Sequence, residues 1–83
     1  MYERINFKNR INEIRTSRKI KQKDLAKLCG LSINALSDME HQKYQPTAYN
    51  CALLCYYLDC TFEDMFYFED FVSQKKVFLK KIK

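Results

Sequence analysis

Asn34, Ser37, Asp38 and His41, with Ile33 beside them, recur at spacings that suit one face of a helix. None of these groups points to bond-making chemistry. What they offer is hydrogen bonding from short, compact side chains. Such a face lets a helix backbone come close to base edges in the major groove of a nucleic acid. An ordinary solvated face has the same composition, so the pattern alone leaves both readings open.

The opposite side of that helix carries Ala35, Leu36, Met39 and Glu40, an inward face with one acid at its end. Ser32 is a good N-cap, and the helix is expected to run to about His41. Ahead of it, Gln22–Cys29 reads as a second short helix, with Leu25, Ala26 and Cys29 inward and Lys23 and Lys27 outward. Gly30, the only glycine in the chain, ends that helix where a left-handed residue is wanted, and Leu31 anchors the turn. Two helices joined tightly at one glycine form the unit that presents its second helix to DNA.

The rest of the chain must frame that unit. A first helix is expected from about Phe7 to Ser17, inward through Ile11 and Ile14 with Phe7 a turn earlier. Arg15 lies at the edge of this face and needs a partner. Ile20 should plug the core after it. Pro46 breaks the pattern, and Thr47 caps a fourth helix over Ala48–Leu58. Ala48, Cys51, Leu54, Cys55 and Leu58 form its expected core arc. Tyr49, Leu53, Tyr56 and Tyr57 make its other side too apolar for water alone, so the C-terminal segment or another subunit should cover it. Thr61 and Asp64 match a capping pattern, with Phe62, Met65 and Phe66 as anchors of a short fifth helix. The tail fits a helix through Phe71, Phe78 and Ile82 and fits a strand equally through Val77 and Leu79.

Eighty-three residues with one glycine and one proline predict a single, marginally stable, all-α domain. A hydrophobic fraction of 47% argues against disorder. No apolar run approaches the roughly 20 residues that span a bilayer, and the charged start does not resemble a signal peptide. A cytoplasmic location, no membrane and reduced thiols at Cys29, Cys51, Cys55 and Cys60 are expected. A zinc site from Cys51 and Cys55 with Cys60 or His41 lacks the usual tight ligand pairs. The cysteines are read as small apolar residues, and neither metal nor cofactor is expected. One histidine, no glycine-rich phosphate loop and no separated acid/base pair speak against an enzyme. The net charge of +5 is segregated: residues 1–43 and 75–83 are basic, and residues 44–74 carry acids and no lysine or arginine. The basic regions suit a polyanion.

NRINEIR, Gln22, LAKLCGLS, LSDME, Pro46-Thr47 and TFEDMF, taken together without gaps from about Arg10 to Phe66, resemble the Cro/C1-type helix-turn-helix domain of phage repressors and XRE-like regulators. The resemblance implies a five-helix domain over residues 10–66, with its helix-turn-helix at 22–41. Residues 1–9 and 67–83 would be extensions, the second a tail or dimerisation segment. It implies binding to double-stranded operator DNA, usually as a homodimer on an inverted repeat. It sets Ile33, Asn34, Ser37 and Asp38 at base-contacting positions. Gln22 falls where a glutamine meets a phosphate and braces the recognition helix, and Lys43 and Tyr44 fall in a loop that meets the backbone. Lys23, on the outer side of its helix, is added as a further backbone contact. Arg15 and Glu40 occupy the positions of a partly buried ion pair.

The departures from the family pattern carry information too. Glycine is common in the family where Lys19, Gln42 and Asp59 stand here. Lys21 replaces a Ser/Thr cap. Asp38 repels phosphate yet can accept a hydrogen bond from cytosine N4, so it either reads a C·G pair or weakens binding. Leu53 and Tyr56 stand where lysine is frequent, which strengthens the expectation of a covered face and a dimer interface through Leu53, Tyr56, Tyr57, Phe68 and Phe71. The function expected is a sequence-specific transcriptional regulator, a repressor. The alternative is an antitoxin-like subunit that binds a partner protein and its own promoter, suggested by the apolar side of the fourth helix and the basic tail.

Overall fold

Ser32, Thr47 and Thr61 each turn a side-chain oxygen onto the backbone N–H three residues ahead, and each starts a helix. At Thr61 the bond is reciprocal, because the Asp64 carboxylate accepts from the Thr61 N–H. The computed structural model of the chain describes residues 6–69 and Lys80. Along residues 6–69 the elements are β1 (Asn6–Asn9), α1 (Ile11–Ser17), α2 (Gln22–Leu28), α3 (Ile33–Glu40), α4 (Ala48–Leu58), α5 (Phe62–Met65) and β2 (Phe66–Glu69).

The first four helices end alike. Lys19, Gly30, Gln42 and Asp59 all have positive φ, between 51 and 67°. At each one the next residue's N–H reaches back five positions. Ile20 donates to Arg15, Leu31 to Ala26, Lys43 to Asp38 and Cys60 to Cys55, at 2.8–3.2 Å. This is the Schellman closure, and it satisfies carbonyls that the helix leaves open. The family pattern prefers glycine at these stops, but only one of the four has it here.

Ile11, Leu25, Leu36, Met39, Leu54, Leu58 and Met65 are the large side chains fully buried at the centre. Cys29 and Cys51 are buried among them, which suits cysteine used as a small apolar residue. Ala48, expected on the core arc, is exposed. It is the first residue of α4, and the arc meets the core only one turn later, at Cys51.

The all-α expectation needs correction. β1 and β2 form a two-stranded antiparallel sheet, with Asn6 opposite Glu69, Phe7 opposite Phe68, Lys8 opposite Tyr67 and Asn9 opposite Phe66. α1 therefore starts at Ile11, not Phe7. Aromatic side chains favour a pleated, half-buried surface, and here they find cross-strand partners. Phe7 stacks on Phe66 with centroids 5.5 Å apart and meets Phe68 at 5.3 Å. A helical turn at Phe7 would forgo these contacts.

Candidate nucleic-acid interface

The α2–turn–α3 unit is built from the inside. Leu25 and Leu36 are fully buried, and Ala26 and Met39 are 1% exposed. That anchorage sets which side of α3 faces outward. Ile33 is half exposed, Asn34 is exposed, and Ser37 and Asp38 are half-buried. The Asn34 amide makes no hydrogen bond to the described residues, so its donors and acceptor are unspent. His41 Nδ1 lies 2.7 Å from the Ser37 carbonyl oxygen and 3.4 Å from its hydroxyl. Lys43 Nζ stands 3.8 Å from Asp38, which tempers the acid's charge beside the outer face.

Glu40 ends α3 and turns inward. Its carboxylate accepts from Arg15 Nε at 2.8 Å and Arg15 Nη2 at 3.1 Å. It also accepts from Asn12 at 2.8 Å and Gln22 at 3.3 Å. Arg15 has a further bond to the Ile20 carbonyl at 2.8 Å. One carboxylate thus joins the start of α1, the start of α2 and the end of α3. A buried charge held by several donors is costly to disturb. Gln22, assigned by resemblance to a phosphate and to bracing, directs its amide N–H at this acid. Lys21 is the N-cap of α2 and makes no side-chain cap bond.

A second tie fixes the same C-terminal end of α3. Asn9 is buried, donates from Nδ2 to the Met39 carbonyl at 2.9 Å and accepts from the Ile11 N–H at 3.1 Å. The Gln42 amide then pairs with the Asn9 backbone, accepting from its N–H at 3.1 Å and donating to its C=O at 3.0 Å. Gln42 mimics one rung of a β-ladder. Sequence reasoning missed Asn9, Asn12 and Gln42. The signal for Asn9 was available, since asparagine just ahead of Ile11 is a helix-start residue. The partners of Asn12 and Gln42 are 28 and 33 residues away and carry no local signal.

Around α3, Lys23 and Lys43 are exposed and Tyr44 is 43% exposed. Of the residues expected at a dimer interface, Tyr56 and Phe68 are 76% and 68% exposed. Leu53 and Tyr57 pack partly against their own core. Phe71 lies outside the described residues. Burial pushes all four thiols up, Cys55 to about 11 with Cys60 beside it adding to the shift. Protonated thiols are poor metal ligands and poor nucleophiles. Among the described residues no group of three or more His, Cys, Asp or Glu could hold a metal ion, and no helix is long and apolar enough to cross a membrane.

A short polar helix, capped by Ser32 at its start, tied at its C-terminal end and presented beside exposed lysines, is the architecture of a helix-turn-helix DNA reader. The family model of the Cro/C1-type helix-turn-helix DNA-binding domain matches residues 10–70, and the chain belongs to that family. Several solved structures are similar to it, among them the following three. A candidate DNA-binding protein from Bacteroides fragilis shares 21% identity at a TM-score of 0.70, over 74% of this chain and 98% of its own. The P22 c2 repressor, solved with a synthetic operator in the presence of Tl+, shares 33% identity at a TM-score of 0.62, over 65% and 82%. The restriction-modification controller protein C.AhdI from Aeromonas hydrophila shares 27% at 0.62, over 66% and 83%. No curated protein matches the chain.

Proposed function

We propose that the protein is a sequence-specific transcriptional regulator, a repressor, that reads duplex DNA with the outer face of α3. The observation that carries this is the contrast between the two sides of that helix. Glu40 is fixed by donors on α1 and α2, while Asn34 is exposed with its amide unspent. Rigid support behind a free hydrogen-bonding group is what base readout needs. Asn34 pairs with adenine, Asp38 accepts from cytosine N4, and Ile33 and Ser37 contact neighbouring bases. Gln22, Lys23, Lys43 and Tyr44 hold the backbone, which sets register. The likeness to the P22 c2 repressor, a protein solved on an operator, supports the same use.

The regulator acts as a homodimer on an inverted repeat. Exposed Tyr56 and Phe68 support this, with Leu53, Tyr57 and Phe71 as further interface positions. Selection of bound sites from random DNA tests function and symmetry together. The expected result is one enriched inverted repeat. Recovery of unenriched sequence overturns DNA reading, and a monomer by sedimentation at high micromolar concentration overturns the dimer.

A further inference from the structure

We infer that β1 is a second DNA-backbone contact, with Lys8 as its charge. This rests on the DNA-reading assignment above and adds to it a surface outside the helix-turn-helix. A cleft of about 340 Å³ lies between β1 and the loop that follows α3. Lys8, Lys43, Tyr44, Asn6 and Gln45 are among its walls, and among the described residues no carboxylate lines it. Glu69, on β2 opposite Asn6, is outside the lining. Two cations, a phenol and carboxamides match the chemistry of a phosphodiester; Lys43 is shared with Asp38, 3.8 Å away, which leaves Lys8 as the cleft's own charge.

The strand adds a backbone donor. Arg10 donates to the Met65 carbonyl at 2.8 Å on the β2 side. In antiparallel pairing, alternate residues bond to the same side. Lys8 and Asn6 therefore turn their backbone groups to β2, and Asn9 and Phe7 turn theirs to the outer edge. Gln42 occupies that edge at Asn9, which leaves the Phe7 N–H at the cleft.

Position identifies the occupant. The cleft is continuous with Lys43 and Tyr44, the backbone-contacting loop of the proposed interface, and the Gln42–Asn9 pairing fixes β1 to the end of α3. A phosphate held there belongs to the duplex that α3 reads, one step along the backbone from those met by the loop.

The test is the salt dependence of binding to the site selected from random DNA, for wild type, Lys8→Gln and Lys8→Arg. Lys8→Gln is expected to lower the slope of log affinity against log salt by about one. Its loss should be equal on selected and unrelated duplexes, and Lys8→Arg should retain the wild-type slope. In the unaltered chain, bound duplex should protect Lys8 from reductive methylation, which reads the same contact should Lys8→Gln fold poorly. Sequence-specific binding by wild type with an unprotected Lys8, or with an unchanged slope in Lys8→Gln, overturns the β1 contact alone. Wild type that binds no duplex overturns the DNA reading and this inference with it.

Discussion

Arg15 Nε stands 2.8 Å from Glu40 Oε2, with the two side chains 11% and 1% exposed. The pair sits beneath the reading helix, where neither charge has bulk water to fall back on. Removing one member strands the other. Glu40→Ala is expected to cost about 3–5 kcal/mol, and the double variant Arg15→Met/Glu40→Leu is expected to cost less than that single change. Urea unfolding of the variants in a double-mutant cycle checks it. A Glu40→Ala loss below about 1 kcal/mol contradicts the role given to the network.

The helix stops offer a paired prediction. Lys19 and Gln42 both hold left-handed backbone, at φ 58 and 62°. A non-glycine residue there is strained. Lys19→Gly relieves the strain without removing a side-chain bond, and a gain of about 0.5–1 kcal/mol is expected. Gln42→Gly relieves the same strain but loses both bonds to the Asn9 backbone. It is expected to destabilise, since two lost hydrogen bonds outweigh the relief. Equal effects in thermal melts would mean that the Gln42–Asn9 pairing contributes nothing.

Two groups contribute to the pH dependence of stability. Hydrogen bonds from the Thr61 backbone N–H and hydroxyl hold the Asp64 carboxyl below the usual aspartate range. A depressed acid contributes stability above about pH 4 and loses it as the pH falls further. Asp64→Asn should flatten that acid limb. Burial raises the Cys55 thiol to about 11. Its contribution is complete below about pH 9 and is lost as the pH rises toward 11, so Cys55→Ala should flatten part of the alkaline limb. Denaturant midpoints across pH check both signs.

Much of this was legible in the sequence because it is local. Ser32, Thr47 and Thr61 announce their helices by residue type and spacing, and Gly30 announces a left-handed stop. The inner faces of α2 and α3 follow from periodicity. The sheet was not legible in that way. β1 and β2 are four residues each, too short for alternation to show, and they are stabilised by rings that meet only after the core has brought the two segments together. Residue type alone hides the left-handed backbone of Lys19, Gln42 and Asp59, and only the resemblance to a family with glycine at these positions pointed to it. The resemblance to a family named Glu40 for Arg15, whereas spacing alone said only that Arg15 needed a partner. Asn12 joins that acid by a contact with no sequence signature.

Asp38 is the acid on the proposed reading face, and Lys43 stands 3.8 Å from it. As the reader of a C·G pair, it should favour cytosine at one position. Asp38→Ala is expected to erase preference at that position, at a cost of about 1–3 kcal/mol on the selected site, while binding to unrelated DNA strengthens as repulsion from phosphate is lost. Competition binding across single-base variants of the site measures this. Unchanged preference everywhere would make Asp38 a spectator.

The central claim is that α3 reads bases through its exposed side. Equilibrium titration of wild type and Asn34→Ala, on the selected site and on its single-base variants, tests it most directly. A loss of about 1–3 kcal/mol on the selected site and relaxed preference at one A·T pair are expected. Unchanged affinity and unchanged preference would contradict it.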